Sequence, residues 1–116
     1  MRSARGPCGA AFHIDSSSRW DLLLANVENL LDGWGEPLAV EVVVNGPAVE
    51  VLTLHGVNGA RLQRLAARGV KFLACSNSLR AQGIPSEQVL PQAQVISAGV
   101  VHLTARQLSG WAYIKP

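Results

Sequence analysis

The chain has few of the residues from which metal and cofactor sites are built. Its 116 residues include two cysteines, Cys8 and Cys75, which lack the CxxC spacing of a zinc or thioredoxin-type site. His55 and His102 are far apart, and nothing at metal-ligand spacing joins them. The Walker phosphate loop, a GxGxxG turn after the first strand and the GxSxG nucleophile elbow are all absent. We therefore expect no metal, no cofactor and no nucleotide site.

Long apolar runs and clustered charge are also missing. No segment approaches the ~20 apolar residues that span a bilayer, so we expect no membrane association. His13 and Asp15 interrupt the apolar stretch after the basic first residues, so we read no secretory signal and expect a cytoplasmic protein with reduced thiols. Arg61, Arg64 and Arg68 form the densest basic group, and their spacing makes one solvated helix face. Aromatic residues do not interleave with it, which argues against nucleic-acid binding.

What the chain does have is the composition of one globular domain. Hydrophobic residues make up 48% of the sequence and charged residues 16%, and the net charge is +2. A chain of this length supports a single core. Residues 1–8 carry Gly, Pro, Arg and Ser without periodicity, so we expect a flexible arm there, followed by one domain over residues 9–116.

Strand-like and helix-like segments alternate along that domain. The predicted strands lie near residues 9–14, 38–44, 70–75, 94–97 and 111–114, with helices near 15–31, 60–68, 76–82 and 100–109. The stretch 48–55 suits a strand or a short helix, and the surrounding rhythm favours a helix. The second strand is rich in β-branched residues and nearly continuous, as in strands that are buried on both faces. The alternation predicts an α/β fold with a five-stranded, mostly parallel, doubly wound sheet.

The last helix and the tryptophans allow narrower expectations. The spacing of the apolar residues in the last helix predicts that four of its side chains face the core: Val101, Leu103, Thr104 and Leu108. Trp20, Trp34 and Trp111 are many tryptophans for so small a domain. Either all three pack in the core or one lies at a subunit contact.

Three polar segments follow predicted strands, where open parallel sheets bind ligands. They are Asp15–Ser18, Asn45–Pro47 and Cys75–Ser78. Cys75 ends a strand directly before a helix start, and backbone N–H groups there favour a thiolate, which is a nucleophile and a carrier of persulfide sulfur. The alternative is a buried structural cysteine, because free cysteines are among the most buried residues.

The polar residues at the ends of the first and second strands also have either a functional or an ordinary structural role. The Asn45-Gly46 turn is either a binding loop, in which glycine permits close approach, or an ordinary connection between a strand and a helix. His13 lies one residue before the end of the first strand, where a core histidine with one hydrogen bond is commoner than a ligand or base.

Four stretches of the chain resemble the DsrE/DsrF-like sulfur-relay family: Phe12-His-Ile-Asp15, Val42-Val-Val-Asn-Gly-Pro47, Arg68-Gly-Val-Lys-Phe-Leu-Ala-Cys-Ser-Asn-Ser-Leu79 and Ala112-Tyr-Ile-Lys-Pro116. The third is the most specific, because the family places a cysteine at the end of its third strand before an Asn-containing helix start. The resemblance runs from about Ala11 to the C-terminus.

The resemblance implies a three-layer α/β/α sandwich that assembles as a homotrimer or hexamer. It also implies an intracellular sulfurtransferase-like protein in which Cys75 accepts sulfur as a persulfide and exchanges it with donor and acceptor proteins. The rival hypothesis is a non-catalytic oligomer that binds a small molecule or acts as a scaffold, with a structural Cys75. Six residues are expected to line the pocket around Cys75: His13, Asp15, Asn45, Gly46, Ser76 and Asn77.

Overall fold

A computed structural model describes residues 9–116, so the predicted arm at residues 1–8 lies outside the described residues. The strands in this range are β1 Gly9–Ile14, β2 Ala39–Val44, β3 Lys71–Cys75, β4 Ala93–Ile96 and β5 Ala112–Ile114. The α-helices are α1 Trp20–Trp34, α2 Gly59–Ala67, α3 Ser76–Ala81 and α4 Gly99–Leu108. Short 3-10 helices occupy Ser17–Arg19, Gly46–Leu52 and Ser86–Gln88.

The five strands form one sheet in the order β4-β3-β2-β1-β5, and every neighbouring pair is parallel. The first three crossovers step in one direction across the sheet and carry α1, α2 and α3 on one face. The last crossover returns from β4 at one edge to β5 at the other, so its helix α4 lies on the opposite face. The predicted α/β fold, with a parallel sheet between helices on both sides, is confirmed.

Successive side chains along each strand point to opposite faces of the sheet, so the core has two unequal parts. The larger part lies between the sheet and α1–α3, and Phe12, Val42 and Phe72 are among its fully buried side chains. The smaller part lies under α4 and consists of Ala11, Val43, Leu73 and Leu103, with Ile96 and Trp111 packed against it. A single helix therefore covers one face of the sheet.

The prediction for α4 is partly wrong. Leu103 is buried as expected, but Thr104 is exposed, Val101 is 64% exposed and Leu108 is 85% exposed. The helix instead turns His102 and Arg106 toward the sheet, because both side chains bind the carboxylate of Glu41 on β2. The ion pair fixes the rotation of α4, and the apolar residues of the helix are left on its outer side.

Two other expectations need refinement. The stretch 48–55 belongs to a 3-10 helix only as far as Leu52, and Thr53 ends it by bonding back to the carbonyl oxygen of Glu50. The basic face of α2 is not simply solvated, because Arg61 binds Glu28 and Arg68 binds Asp32. These ion pairs connect α2 with α1.

The tryptophans occupy three different environments. Trp20 is fully buried in the larger core and donates from Nε1 to the carbonyl oxygen of Ala48 over 3.0 Å. Trp111 is partly buried beneath the guanidinium of Arg106, and Trp34 is also partly buried. Within residues 9–116, no helix is both long enough and apolar enough to cross a membrane.

Candidate functional site

Four polar side chains form a row at the carboxyl end of the sheet, on the face that α4 covers. His13, Asn45 and Cys75 follow Ala11, Val43 and Leu73 by two residues on their strands, so they point to the same side. Tyr113 joins them because it pairs with Ala11 in the parallel register of β5 and β1. The strand order places them in sequence across the sheet: Cys75, Asn45, His13 and Tyr113.

Cys75 ends β3 and stands directly before the first turn of α3. It is a free thiol, and only 5% of the residue is exposed. Burial raises the pKa of this thiol, but a hydrogen bond with the Ser78 side chain and bonds with the backbone of Gly99, Ser78 and Asn77 outweigh burial and lower the pKa. The surroundings of Cys75 therefore favour the thiolate.

Ser78 links the cysteine to the turn after β2. The N–H of Gly46 donates to the Ser78 hydroxyl oxygen over 2.8 Å, which leaves the hydroxyl proton available for Cys75. Gly46 has a φ of +58°, and a Cβ there would lie 3.0 Å from the carbonyl oxygen of Asp15. Glycine suits this position because both its left-handed backbone conformation and the close approach of the Asp15 carbonyl disfavour a side chain.

Gly99 brings the start of α4 close to the same residues. A Cβ on Gly99 would lie 3.3 Å from Cγ1 of Val43 and 3.7 Å from Nδ2 of Asn45. Because glycine has no side chain, the first turn of α4 packs directly on β2. The backbone of Gly99 thereby reaches Cys75 on the neighbouring strand.

His13 connects two other members of the row. Its Nε2 lies 3.0 Å from Oδ1 of Asn45, and its Nδ1 lies 2.7 Å from the hydroxyl of Tyr113. Because an amide oxygen only accepts, Nε2 carries a hydrogen and donates to Asn45. In the neutral ring Nδ1 then accepts from Tyr113. His13 is thus held at both nitrogens, and its Nε2 anchors the amide of Asn45 through Oδ1.

The structure brings together some of the predicted pocket residues but not all. His13, Asn45 and Gly46 lie in the hydrogen-bonded network described above. Asp15 instead pairs with Lys115, 3.3 Å away. The side chains of Ser76 and Asn77 both bind Arg80 on the exposed side of α3, so of these two residues only the backbone of Asn77 contacts Cys75.

Three residues of the network were not predicted from the sequence. Ser78 belongs to the polar helix start after Cys75, and one turn of helix places it back over that residue, so its position was a usable signal. Tyr113 is identified only by the register of β5 with β1, because 100 residues separate it from His13. Gly99 carries no signal in the sequence beyond its position before an amphipathic segment.

A second polar cluster lies at the amino end of the sheet. Glu41 is bound there through both oxygens by Arg106, at 2.9 Å each, and through Oε1 by His102 at 2.7 Å. A cavity of about 360 Å³ adjoins it, with Lys71 and Trp111 among the lining residues. The predicted site residues lie at the opposite, carboxyl end of the strands, so this cluster is separate from Cys75.

The arrangement around Cys75 suits a nucleophilic thiolate rather than a metal. Hydrogen-bond donors converge on the sulfur, and within residues 9–116 no group of three or more His, Cys, Asp or Glu side chains could hold a metal ion. A buried thiolate held by donors can attack a second sulfur atom and can also leave when attacked.

Comparison with known proteins gives the family of the chain and supports its fold. No curated protein matches the chain significantly. Among solved structures, the chain is similar to MTH1491 of Methanobacterium thermoautotrophicum, a protein of unknown function, with 40% sequence identity and a TM-score of 0.88. The match covers 94% of this chain and 99% of that one. The sequence profile of the DsrE/DsrF-like family matches residues 9–116. The chain therefore belongs to the DsrE/DsrF-like family.

Proposed function

We propose that this protein is a sulfur-relay protein in which Cys75 accepts sulfur as a persulfide and passes it to an acceptor thiol. The observation that carries the proposal is the set of donors around the sulfur: the Ser78 hydroxyl and the backbone groups of Asn77, Ser78 and Gly99. Membership of a family associated with sulfur relay supports it. The proposal places the protein in a reducing compartment such as the cytoplasm, where Cys75 stays a free thiol.

The transfer exchanges one sulfur–sulfur bond for another in each direction. In loading, the Cys75 thiolate attacks the terminal sulfur of a donor persulfide, R–S–SH. The new bond to Sγ forms as the S–S bond of the donor breaks, and the donor leaves as R–S⁻. In release, an acceptor thiolate attacks the outer sulfur, and Cys75 leaves as a thiolate. The hydrogen on the outer sulfur travels with it, and neither step has a net oxidation or reduction.

Loading by a small persulfide tests this proposal. We expect that incubation with glutathione persulfide adds one sulfur atom to the protein, which intact-mass spectrometry detects and which a reductant removes. Cys75→Ser should abolish the gain, because no thiolate remains to attack the donor. Cys8→Ser is the matched control and should load normally. If Cys75→Ser still gains sulfur, or if the unsubstituted protein gains none, Cys75 is not the acceptor.

We also propose that the outer face of α4 joins copies of this chain into a homo-oligomer. Val100, Val101, Thr104, Ala105 and Leu108 form a continuous apolar surface there, with an adjoining groove of about 420 Å³. The surface contains no charged side chain, because His102 and Arg106 point inward to Glu41. An uncharged apolar face is self-complementary, which is what a contact between identical subunits requires.

Substitution on that face should lower the molar mass in solution. We expect Val101→Glu to convert the oligomer to monomers in light scattering coupled to size exclusion, since a charge would have to be buried at the contact. Val57→Glu is the matched control, because Val57 is 92% exposed and lies in the turn before α2. An unchanged mass for Val101→Glu, or a monomeric unsubstituted protein, would exclude the α4 interface.

A further inference from the structure

The amide of Asn45 has a donor that the hydrogen-bond network leaves free. Its Oδ1 is bound by His13, so Nδ2 points away from that ring. Nδ2 makes no hydrogen bond to any of the residues 9–116. Asn45 is only partly buried, so this donor has no partner among the described residues and is not sealed inside their core.

The free donor faces the region beside Cys75. Nδ2 lies 3.7 Å from the place where a Cβ on Gly99 would be, and the backbone of Gly99 also contacts Cys75. The register pairs Val44 with Ala74, so the next residues, Asn45 and Cys75, follow on adjacent parallel strands and point to the same face. Nδ2 and the sulfur of Cys75 therefore lie on neighbouring strands, on the same face of the sheet and beside the same backbone of Gly99.

We propose that Asn45 is the residue that binds the outer sulfur of a persulfide on Cys75, and that His13 and Tyr113 are positioning residues that fix its amide. This inference rests on the proposed function and deepens it. The outer sulfur lies one S–S bond, about 2.05 Å, beyond Sγ. It carries the negative charge of the ionised persulfide, while the Ser78 hydroxyl and the Gly99 backbone remain at Sγ. An amide N–H directed at this atom stabilises the loaded state and leaves the free thiolate unaffected.

The positioning role follows from the direction of the hydrogen bonds. Tyr113 donates to Nδ1 of His13, and Nε2 of His13 donates to Oδ1 of Asn45. These two bonds anchor the Asn45 amide by its Oδ1 and keep Nδ2 on the side away from the His13 ring.

The test is the equilibrium between loaded and unloaded Cys75 in a fixed mixture of glutathione persulfide and glutathione. We expect Asn45→Ala to lower the ratio of persulfide to thiol by about tenfold, the effect of removing one hydrogen bond to a charged group. The pH profile for alkylation of the unloaded thiol should stay within about twofold of the unsubstituted protein, which also shows that the variant is folded.

A double-mutant cycle separates positioning from a general structural effect. His13→Ala should lower the persulfide ratio in the unsubstituted protein but have no further effect in Asn45→Ala, because its role passes through that amide. Tyr113→Phe, a mild change at a partly exposed residue, should give a smaller decrease. Additive effects of His13 and Asn45 would contradict the positioning role.

The outcomes for the two proposals differ. If the unsubstituted protein holds no persulfide, the proposed function fails and this inference fails with it. If the unsubstituted protein loads and Asn45→Ala holds as much sulfur at equilibrium, the inference alone is overturned and Cys75 remains the sulfur acceptor.

Discussion

Arg106→Met is expected to lower the free energy of unfolding by about 3–5 kcal/mol, measured by urea denaturation at neutral pH. The Glu41 side chain is 5% exposed on a central strand, and Arg106 binds both of its oxygens. Removal of the guanidinium leaves a buried carboxylate whose one remaining side-chain partner among residues 9–116 is His102. The cost of that uncompensated charge makes this substitution severe.

A similar ion pair on the opposite face is the control. Arg61 also binds both oxygens of its partner, Glu28, over 3.1 and 2.8 Å, but both side chains are about one-third exposed. Arg61→Met should cost less than about 1 kcal/mol, because water replaces the lost partner. The double variant Glu41→Met/Arg106→Met should recover much of the stability, since no unpaired charge remains. Equal losses for Arg106→Met and Arg61→Met would contradict this account of Glu41.

The stability loss caused by Arg106→Met should change with pH in one direction, which the pKa of Glu41 determines. Burial raises the pKa of Glu41, but the bonds from Arg106 and His102 outweigh it, so the pKa in the folded protein lies below the ordinary value. The stabilisation by Glu41 is full above the unfolded pKa of about 4.3 and is lost as the pH falls through the lower folded pKa. Without Arg106, burial raises the pKa of Glu41. The stability difference between the two proteins should therefore shrink in acid.

Ser78→Ala is expected to slow alkylation of Cys75 by about tenfold or more at pH 7. The Ser78 hydroxyl is the largest of the contributions that lower the pKa of this thiol. A hydrogen bond to a charged group contributes roughly 1.5–3 kcal/mol, and each 1.36 kcal/mol corresponds to about one pKa unit. Loss of the bond therefore raises the thiol pKa, and less thiolate is present at neutral pH. The measurement is the rate of iodoacetamide labelling across a pH series in Cys8→Ser protein.

Two substitutions test whether the hydroxyl itself is responsible. Ser76 begins the same helix, but its side chain binds Arg80 and not Cys75, so Ser76→Ala should leave the profile unchanged. Ser78→Thr keeps the hydroxyl and should restore most of the labelling rate. If the pH profile for labelling of Cys75 is the same in Ser78→Ala as in the protein with Ser78, this hydroxyl does not stabilise the thiolate.

The fold was predictable from local patterns, because each strand and helix is specified by its own residues. Each strand was predicted to within one residue at either end, since apolar runs such as Leu38–Val44 are bounded by Gly, Pro or Asn. The position of Cys75 between a strand and a helix start was also readable. These features depend on residues that are close together in the sequence.

The orientation of α4 was not predictable in the same way. Its apolar residues indicate an inward face, but the ion pair between Glu41 and Arg106, 65 residues apart, decides the rotation. A lone glutamate in a β-branched strand was a signal that a charged partner had to cover it, since buried carboxylates are paired. Nothing in the sequence identified which arginine that would be.

Only part of the candidate site was predicted, because some of its contacts also join residues that are far apart in the sequence. The three segments after β1, β2 and β3 do lie at one edge of the sheet, and His13 and Asn45 do interact. The side chains of Asp15, Ser76 and Asn77 have charged partners elsewhere, Lys115 and Arg80, which strand-end position does not reveal. The contact of His13 with Tyr113 depends on β5 returning to the far side of β1, a property of the topology rather than of any local pattern.

The most direct test of the central claim is the pH dependence of Cys75 alkylation in Cys8→Ser protein. Because only 5% of Cys75 is exposed, the absolute rate reports access, whereas the shape of the pH profile reports the thiol pKa. The account predicts that labelling stays near its plateau well below pH 8.5, the ordinary thiol pKa being about 8.5. A rate that falls about tenfold per pH unit below that value would mean that Cys75 is an ordinary buried thiol, and the sulfur-relay mechanism would be wrong.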